Sequence, residues 1–187
     1  GAKYMNYVIW QPCGVVGEIL PWNGPLMMGC QKIPAILAAG NTVVVKPSSL
    51  ASLSMLLLAE VFDEAGCPPG VFNVITGSGG EVGDVLVQSP LVDMVSMTGG
   101  TETGQHIIRS SAETVKDIAL ELGGKSPNIV FADADIESAV KWSRFAFALN
   151  SGEVCVSGTR LILERSIYDE FLEKLKVECS GYVPGNG

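Results

Sequence analysis

Short runs rich in valine and isoleucine alternate along the chain with segments whose apolar residues recur at helical spacing. The pattern predicts four strands in the first half of the chain, at residues 13–20, 41–47, 68–77 and 92–100. Helices are predicted between and after them, at residues 26–40, 48–66, 79–90 and 101–113. Strands and helices alternating at this pace are typical of βαβ units, so the chain is predicted to have an α/β fold built on a parallel sheet.

The interior of this sheet is predicted to contain valines from each strand, namely Val15, Val16, Val43, Val44, Val45, Val71, Val74 and Val95. A further strand at 115–127 runs into a glycine-containing loop. Two more strand-then-helix units follow, beginning at residues 127 and 160, the first with an aspartate-rich turn as its helix cap. The pattern therefore predicts a domain boundary near 123–128, with domains at 1–122 and 123–187.

Composition and charge restrict the classes of protein that this chain can represent. Hydrophobic residues make up 47% and charged residues 17%, which predicts a folded globular protein with a large core. The net charge is −8 and lysine and arginine are not clustered, so nucleic acid and anionic membrane surfaces are not expected partners. No apolar run approaches the roughly 18 residues that span a bilayer.

The cysteine and histidine counts bear on the chemistry. The 5 cysteines, at positions 13, 30, 67, 155 and 179, are odd in number and show no CxxC spacing. This favours a reducing compartment, and the cytoplasm is the predicted location. The single histidine, His106, excludes any metal site that needs two histidines from this chain, and no metal site is predicted.

Two glycine-rich turns follow predicted strands, at 76–83 and 98–104. Such turns either cradle a phosphate at a helix N-terminus or simply make a tight strand–helix connection. Neither turn matches GxGxxG in register, because Val82 and Thr103 stand where the last glycine is expected. Lys46 is the last residue of the second strand. Its side chain either binds a ribose or phosphate or is simply exposed to solvent.

Three further residues each allow a chemical and a structural interpretation. Glu121 ends an apolar strand, where apolar surroundings would raise its pKa and make it a general base; the alternative is an exposed strand-end glutamate. Asn23, in "PWNGP", is either a positioned oxyanion donor or a turn residue bonding its own backbone. Cys155 is either core filler or a reactive thiol, and its small and polar neighbours in "LNSGEVCVSGTR" favour the thiol.

Taken in order, six motifs resemble the aldehyde dehydrogenase superfamily: "PWNGP", "AAGNTVVVKPS", "AGCPPGVFNVITG", "MTGGTETG", "LELGGKSPNIVFADAD" and "LNSGEVCVSGTR". The resemblance covers the chain from about residue 9 onward. It implies a Rossmann-like, partial dinucleotide-binding domain at 1–122 and the beginning of an α/β catalytic domain at 123–187.

The resemblance also implies site residues. Cys155 is similar to the family's nucleophile, Glu121 to its water-activating base, and Asn23 to the side-chain donor of its oxyanion hole. The residues that the resemblance assigns to NAD or NADP binding are Pro21, Trp22, Lys46, Ser49, Gly79, Gly83, Thr98, Gly99, Gly100, Gly104 and Leu122. Among them Lys46 is similar to the lysine that binds the adenosine ribose.

The implied reaction is oxidation of an aldehyde to a carboxylic acid through a Cys155 thioester, with hydride transfer to NAD(P). The alternatives are a CoA-acylating semialdehyde dehydrogenase, against which Glu121 argues, and an inactive nucleotide-binding or structural module. Implied partners are a small-molecule aldehyde and further copies of the chain, as a dimer or tetramer.

Three departures from the family pattern modify these expectations. Ser49 stands where the family usually has a glutamate that repels a 2′-phosphate, which predicts tolerance of NADP. Gly100 replaces a common serine. The chain is also less than about half the length of family members, so we expect a central segment of a longer protein, inactive by itself.

Overall fold

A computed structural model describes residues 3–183 and 185. Residues 1 and 2 of the predicted first domain, and 184, 186 and 187 of the predicted second, lie outside the described residues. The chain divides into two compact units between Leu122 and Gly123, called here the N-terminal unit and the C-terminal unit.

The N-terminal unit contains a five-stranded parallel sheet in the order β3-β2-β1-β4-β5. Its strands are β1 Val15–Ile19, β2 Thr42–Lys46, β3 Phe72–Val74, β4 Met94–Gly99 and β5 Asp117–Leu122. Its helices are α1 Pro25–Ala38, α2 Leu53–Glu64, a π-helical turn Gly79–Gly83, α3 Asp84–Gln88, α4 Thr101–Ser111 and a 3-10 turn Ala112–Thr114. The predicted α/β fold with a parallel sheet is confirmed.

Two apolar clusters cover the sheet of the N-terminal unit. One, around Val16, Val43 and Val45, packs against Ile33 of α1 and Met55 of α2. The other contains Val95, Met97, Leu86, Val87 and Ile107. Of the predicted interior valines, Val16, Val43, Val45 and Val95 are buried. The remainder, Val15, Val44, Val71 and Val74, are only half-buried, and Val74 lies on β3, which is an edge strand.

Helix α2 begins at Leu53, five residues later than predicted from its serines. Ser48 instead organises a turn, because its carbonyl accepts from Ala51 N at 3.1 Å and its Oγ from Leu50 N at 3.3 Å. Serine side chains that bond nearby backbone favour turns over helix, which accounts for the delayed start.

A charged residue lies in the middle of β1, which the sequence pattern presented as an apolar strand. Glu18 is 0% exposed, and its Oε1 lies 3.2 Å from Lys32 Nζ of α1. Lys32 Nζ also donates to Ser96 Oγ at 3.0 Å, and Ser96 stands beside Glu18 on the neighbouring strand β4. Burial raises the pKa of Glu18, an effect that Ser96 and Lys32 oppose by hydrogen bonding and charge.

The C-terminal unit has a two-stranded parallel sheet, β6 Pro127–Val130 and β7 Arg160–Leu163. Its helices are α5 Ile136–Ala148 and α6 Tyr168–Cys179, with 3-10 turns at Leu149–Gly152 and Arg165–Ile167. The predicted aspartate cap is present: Asp135 Oδ1 accepts from Ser138 N at 3.2 Å. Phe171, which is 0% exposed, is central to a core of Val130, Val140 and Ile167. No helix among the described residues has the length and apolarity needed to cross a membrane.

Candidate active site

The parallel sheet of the N-terminal unit brings most of the predicted site residues to one edge. Because all of its strands run in the same direction, their carboxyl ends lie together, where open α/β sheets bind ligands. The residues at these ends include Pro21, Trp22 and Asn23 after β1, Lys46 and Ser49 at β2, the π-helical turn after β3, Thr98, Gly99 and Gly100 at β4, and Glu121 and Leu122 on β5.

Lys46 lines a cavity of about 480 Å³ at this edge. The residues that share the cavity come from β1, the π-helical turn, α3 and α4: Ile19, Gly79, Gly80, Gly83, Asp84, Val87, Glu102, Thr103, His106 and Ile107. Lys46 is 5% exposed, and burial lowers its pKa. In the described chain its Nζ donates one hydrogen bond, to Pro47 O at 3.1 Å, so two of its three donors are left for a ligand.

The first glycine turn contains glycines in two different environments. Gly77 has a φ of +150°, and a Cβ there would lie 2.3 Å from Val82 Cγ2, so the tight turn requires glycine. Gly79 and Gly80 are not required by packing as Gly77 is, because a Cβ at either position would meet nothing within 4 Å. These two positions leave open space beside the Lys46 cavity, as a bound cofactor requires.

The second glycine turn leads from β4 into α4. Gly100 has open space around it, and it precedes a helix whose first turn has no side-chain cap. Gly104 is buried, and a Cβ there would lie 2.8 Å from Leu122 Cδ2. Close packing of helix on strand therefore accounts for Gly104, the use that the third glycine serves in dinucleotide-binding folds.

Glu121 lies on β5 directly opposite Thr98 of β4. Thr98 is buried, and no hydrogen-bond partner for its Oγ1 is found among the described residues. Glu121 itself is exposed. Among the described residues, Glu121 therefore lacks the apolar surroundings predicted for it, because β5 is an edge strand of the sheet.

Asn23 is half-buried in the turn between β1 and α1. The helix begins two residues later at Pro25, where proline occupies a first-turn position that needs no N–H donor. Trp22 beside it is 46% exposed, and Ser49, in the turn before α2, is also exposed.

Cys155 is exposed in the C-terminal unit, in a turn closed by a hydrogen bond from Ser157 N to Val154 O at 3.0 Å. Two further bonds fix this turn to the last part of α5: Ser157 Oγ and Gly158 N each donate to Ala146 O at 3.0 Å. The thiol is thus presented on an anchored turn and does not fill a core.

The backbone just before Cys155 has unusual dihedral angles. Asn150, Ser151 and Gly152 have φ values of 50°, 57° and 79°. A Cβ at Gly152 would lie 3.0 Å from Phe147 O. Left-handed residues other than glycine cost on the order of 1 kcal/mol each and cluster at functional sites.

His106 and Asp84 in the Lys46 cavity were not predicted as site residues. His106 Nε2 lies 2.7 Å from Asp84 Oδ1. The sequence did contain an indication for His106, because this residue follows Thr103 by about one helical turn on the helix after the second glycine turn. Asp84 carried no comparable signal.

A model of the aldehyde dehydrogenase family matches residues 1–187. Betaine aldehyde dehydrogenase 1 of Oryza sativa is 49% identical over 173 residues, 92% of this chain and 34% of the relative. Betaine aldehyde dehydrogenase of Bacillus subtilis is 47% identical over 180 residues, 96% of this chain and 37% of the relative. The chain thus spans about a third of the length of these curated relatives.

Solved structures are similar over the same part of the chain. An aldehyde dehydrogenase from Pseudomonas aeruginosa has a TM-score of 0.90 and 46% identity, covering 94% of this chain and 36% of its own. Betaine aldehyde dehydrogenase from Staphylococcus aureus, in complex with NAD+, has a TM-score of 0.88 and 44% identity. The match covers 94% of this chain and 35% of that enzyme's chain.

Proposed function

Because the chain belongs to the aldehyde dehydrogenase family, we propose that the full-length protein oxidises an aldehyde to a carboxylic acid with NAD or NADP as hydride acceptor. The observation that carries this proposal is the exposed Cys155 thiol on its anchored turn. The Lys46 cavity with its open glycines supports the cofactor part.

The residues of the cavity fit a dinucleotide. Lys46 has donors for ribose hydroxyl or phosphate oxygens, and Gly79, Gly80 and Gly100 leave room for a phosphate to approach the backbone. The bound cofactor supplies the hydride acceptor. Ser49 in place of an acid leaves a 2′-phosphate unopposed at that position, so we propose that NADP is accepted beside NAD.

The proposed chemistry begins at Cys155. Its thiolate attacks the aldehyde carbon and forms a sulfur–carbon bond, and the carbonyl oxygen becomes an oxyanion. The Asn23 amide and the Cys155 backbone N–H are the proposed donors to this oxyanion, each worth about 3 kcal/mol in comparable enzymes. Loss of hydride from the same carbon leaves a thioester on Cys155.

Glu121 is the proposed base for the second half of the reaction. It takes a proton from water, the hydroxide adds to the thioester carbon, and the Cys155 thiolate leaves as the acid forms. A water-activating carboxylate suits hydrolysis, which favours this outcome over acyl transfer to a thiol. Pro21, Trp22 and Leu122 are proposed to lie beside the nicotinamide.

Betaine aldehyde and aminoaldehydes are the first substrates to test, because the names of the relatives refer to them. We further propose a homo-oligomer, supported by apolar side chains exposed in the N-terminal segment, such as Tyr4 at 87% and Trp10 at 94%. Cytoplasmic location is also a proposal, and some relatives are named as chloroplastic or peroxisomal. Light scattering and cell fractionation test these two proposals.

The test of activity uses the full-length protein, an aldehyde panel and both cofactors, with reduced cofactor followed by absorbance. Cys155→Ala should lower kcat by more than about 10³-fold, the order seen when nucleophiles are removed. Cys30→Ala, at another exposed cysteine, is the matched control and should keep parental activity. Undiminished turnover by Cys155→Ala would refute the proposed mechanism.

A further inference from the structure

A buried ion pair spans the turn that carries Asn23. Glu18 stands on β1, one position before the strand ends, and Lys32 stands on α1, the helix that follows the turn. Glu18 Oε1 lies 3.2 Å from Lys32 Nζ, and the two side chains are 0% and 17% exposed. Asn23 lies between them in sequence. The pair therefore joins the strand that enters this turn to the helix that leaves it.

Glu18 occupies a place that suits an apolar side chain. Val16 and Leu20, its neighbours on the same face of β1, belong to the apolar cluster that contains Ile33 of α1. Val45 stands opposite Glu18 on β2. Burial raises the pKa of Glu18, because the carboxylate has lost its hydration. An ion pair in such surroundings adds little stability over an apolar pair of similar volume, so stability does not account for its presence.

The sequence of α1 does little to fix where the helix begins. Gly24 at the N-cap supplies no side-chain hydrogen bond, and the first turn contains no acidic residue. Apolar packing holds the helix on the sheet through Ile33, which is 1% exposed. Such packing is non-directional, so it sets the position of a helix less sharply than a charged hydrogen bond does.

Lys32 supplies a directional contact to two strands at once. Its Nζ faces Glu18 on β1 and donates to Ser96 Oγ on β4 at 3.0 Å. Glu18 and Ser96 stand side by side in the register of the two strands. At the start of the turn, Leu20 N donates to Lys46 O at 3.1 Å and fixes the end of β1. Both ends of the turn are thus held to the sheet.

We propose that Glu18 and Lys32 are a positioning pair for Asn23: they fix the turn between β1 and α1, and with it the amide that donates to the oxyanion. The inference rests on the proposed function, in which Asn23 is one of two oxyanion donors. Such a donor must lie within about 3 Å of the oxyanion. A displacement of about 1 Å can lower a rate about 100-fold, even when it originates away from the reacting atoms. The pair acts through the turn and takes no part in bond making.

The experiment replaces the pair by apolar residues in the full-length protein, as Glu18→Leu with Lys32→Met. Stability to urea should be at least parental, whereas kcat should fall about tenfold or more. Hydrogen–deuterium exchange, followed by mass spectrometry, should become faster in the peptide that covers residues 19–26. The control is Glu173→Leu with Lys176→Met, which removes an exposed ion pair of α6 and should leave all three measurements unchanged.

A second background shows whether the pair acts through Asn23. By itself Asn23→Ala should lower kcat about 10²- to 10³-fold, as when one oxyanion donor is removed. Replacing the pair in Asn23→Ala should lower kcat no further, because the positioned group is already gone. A general loosening of the fold would instead lower kcat by the same factor in both backgrounds. Glu18→Gln, which keeps an acceptor for Lys32, should retain most of the parental kcat.

Parental kcat in the folded double variant overturns the inference, and so does an equal loss of kcat with and without Asn23. A loss of kcat with unchanged exchange in residues 19–26 also overturns it, because the pair would then not act through the turn. If the double variant does not fold, Lys32→Met takes its place, since the Glu18 carboxyl can stay protonated there, and the same outcomes decide. Parental kcat in Asn23→Ala would instead refute the oxyanion role in the proposed function, and the inference with it.

Discussion

Lys32 Nζ lies 3.2 Å from Glu18 Oε1, and this carboxylate is completely shielded from solvent within the central strand of the sheet. The two charges come from different elements, β1 and α1, and Ser96 on β4 bonds the lysine. Burial nevertheless raises the pKa of Glu18, so the loss of hydration outweighs the compensation by Lys32 and Ser96.

This ion pair predicts a pH dependence of stability. Folding raises the pKa of the Glu18 carboxyl above its ordinary value of 4.5. The contribution of this group to the free energy of unfolding is fully present below pH 4.5 and is lost as the pH rises through the folded pKa. Glu18→Gln stays neutral throughout and escapes this loss. The free energy of unfolding of Glu18→Gln should therefore increase relative to the parental protein as pH rises above 4.5.

Urea unfolding from acidic to neutral pH measures this difference. Glu60→Gln, on the exposed surface of α2, controls for the loss of one negative charge. If the free energy of unfolding of the parental protein instead increases relative to that of Glu18→Gln as the pH is raised, the ion pair with Lys32 outweighs the desolvation of Glu18.

Lys46→Met is expected to weaken cofactor binding. The substitution keeps the buried alkyl stem of a side chain that is 5% exposed and removes its donors, so the apolar packing is retained. Losing a charged hydrogen bond should raise the Kd for NAD about tenfold. Fluorescence titration measures this change, with Lys141→Met on the exposed surface of α5 as control. Unchanged affinity would remove Lys46 from the binding site.

Ser49→Glu should shift cofactor preference toward NAD. A carboxylate at this exposed position would repel a 2′-phosphate and accept hydrogen bonds from ribose hydroxyls. The ratio of kcat/KM for NADP to that for NAD should fall about tenfold or more. Ser48→Glu, at the preceding residue, tests whether the effect depends on position. An unchanged ratio in Ser49→Glu would contradict the proposal that Ser49 allows NADP to bind.

Gly152→Ala should disturb the turn that presents Cys155. Its φ of 79° disfavours any side chain, and the new Cβ would lie 3.0 Å from Phe147 O. We expect a loss of about 1–2 kcal/mol in the free energy of unfolding and slower labelling or turnover at Cys155. Gly181→Ala, where a Cβ meets nothing within 4 Å, is the control. Parental thiol reactivity in Gly152→Ala would show that the turn does not depend on this glycine.

The sequence was most informative where local chemistry decides structure. β-Branched runs ended by proline or glycine located the strands, as at Val43–Val45 before Pro47, and Asp135 was recognisable as a helix cap. The start of α2 was predicted too early, because Ser48 satisfies its bonds in a turn. Local patterns do not reveal which of two competing hydrogen-bonded conformations the surrounding structure selects.

The order of its motifs determined the family of this chain, and its alternating pattern determined the parallel α/β fold. Only the tertiary structure paired Glu18 with Lys32, joined His106 to Asp84 across 22 positions, and packed Gly104 onto Leu122. The physical reason is that each contact joins two separate elements that meet only in the folded chain: α1 with β1, α3 with α4, and α4 with β5. Periodicity along the chain fixes which face a residue occupies, whereas its partner depends on elements distant in sequence.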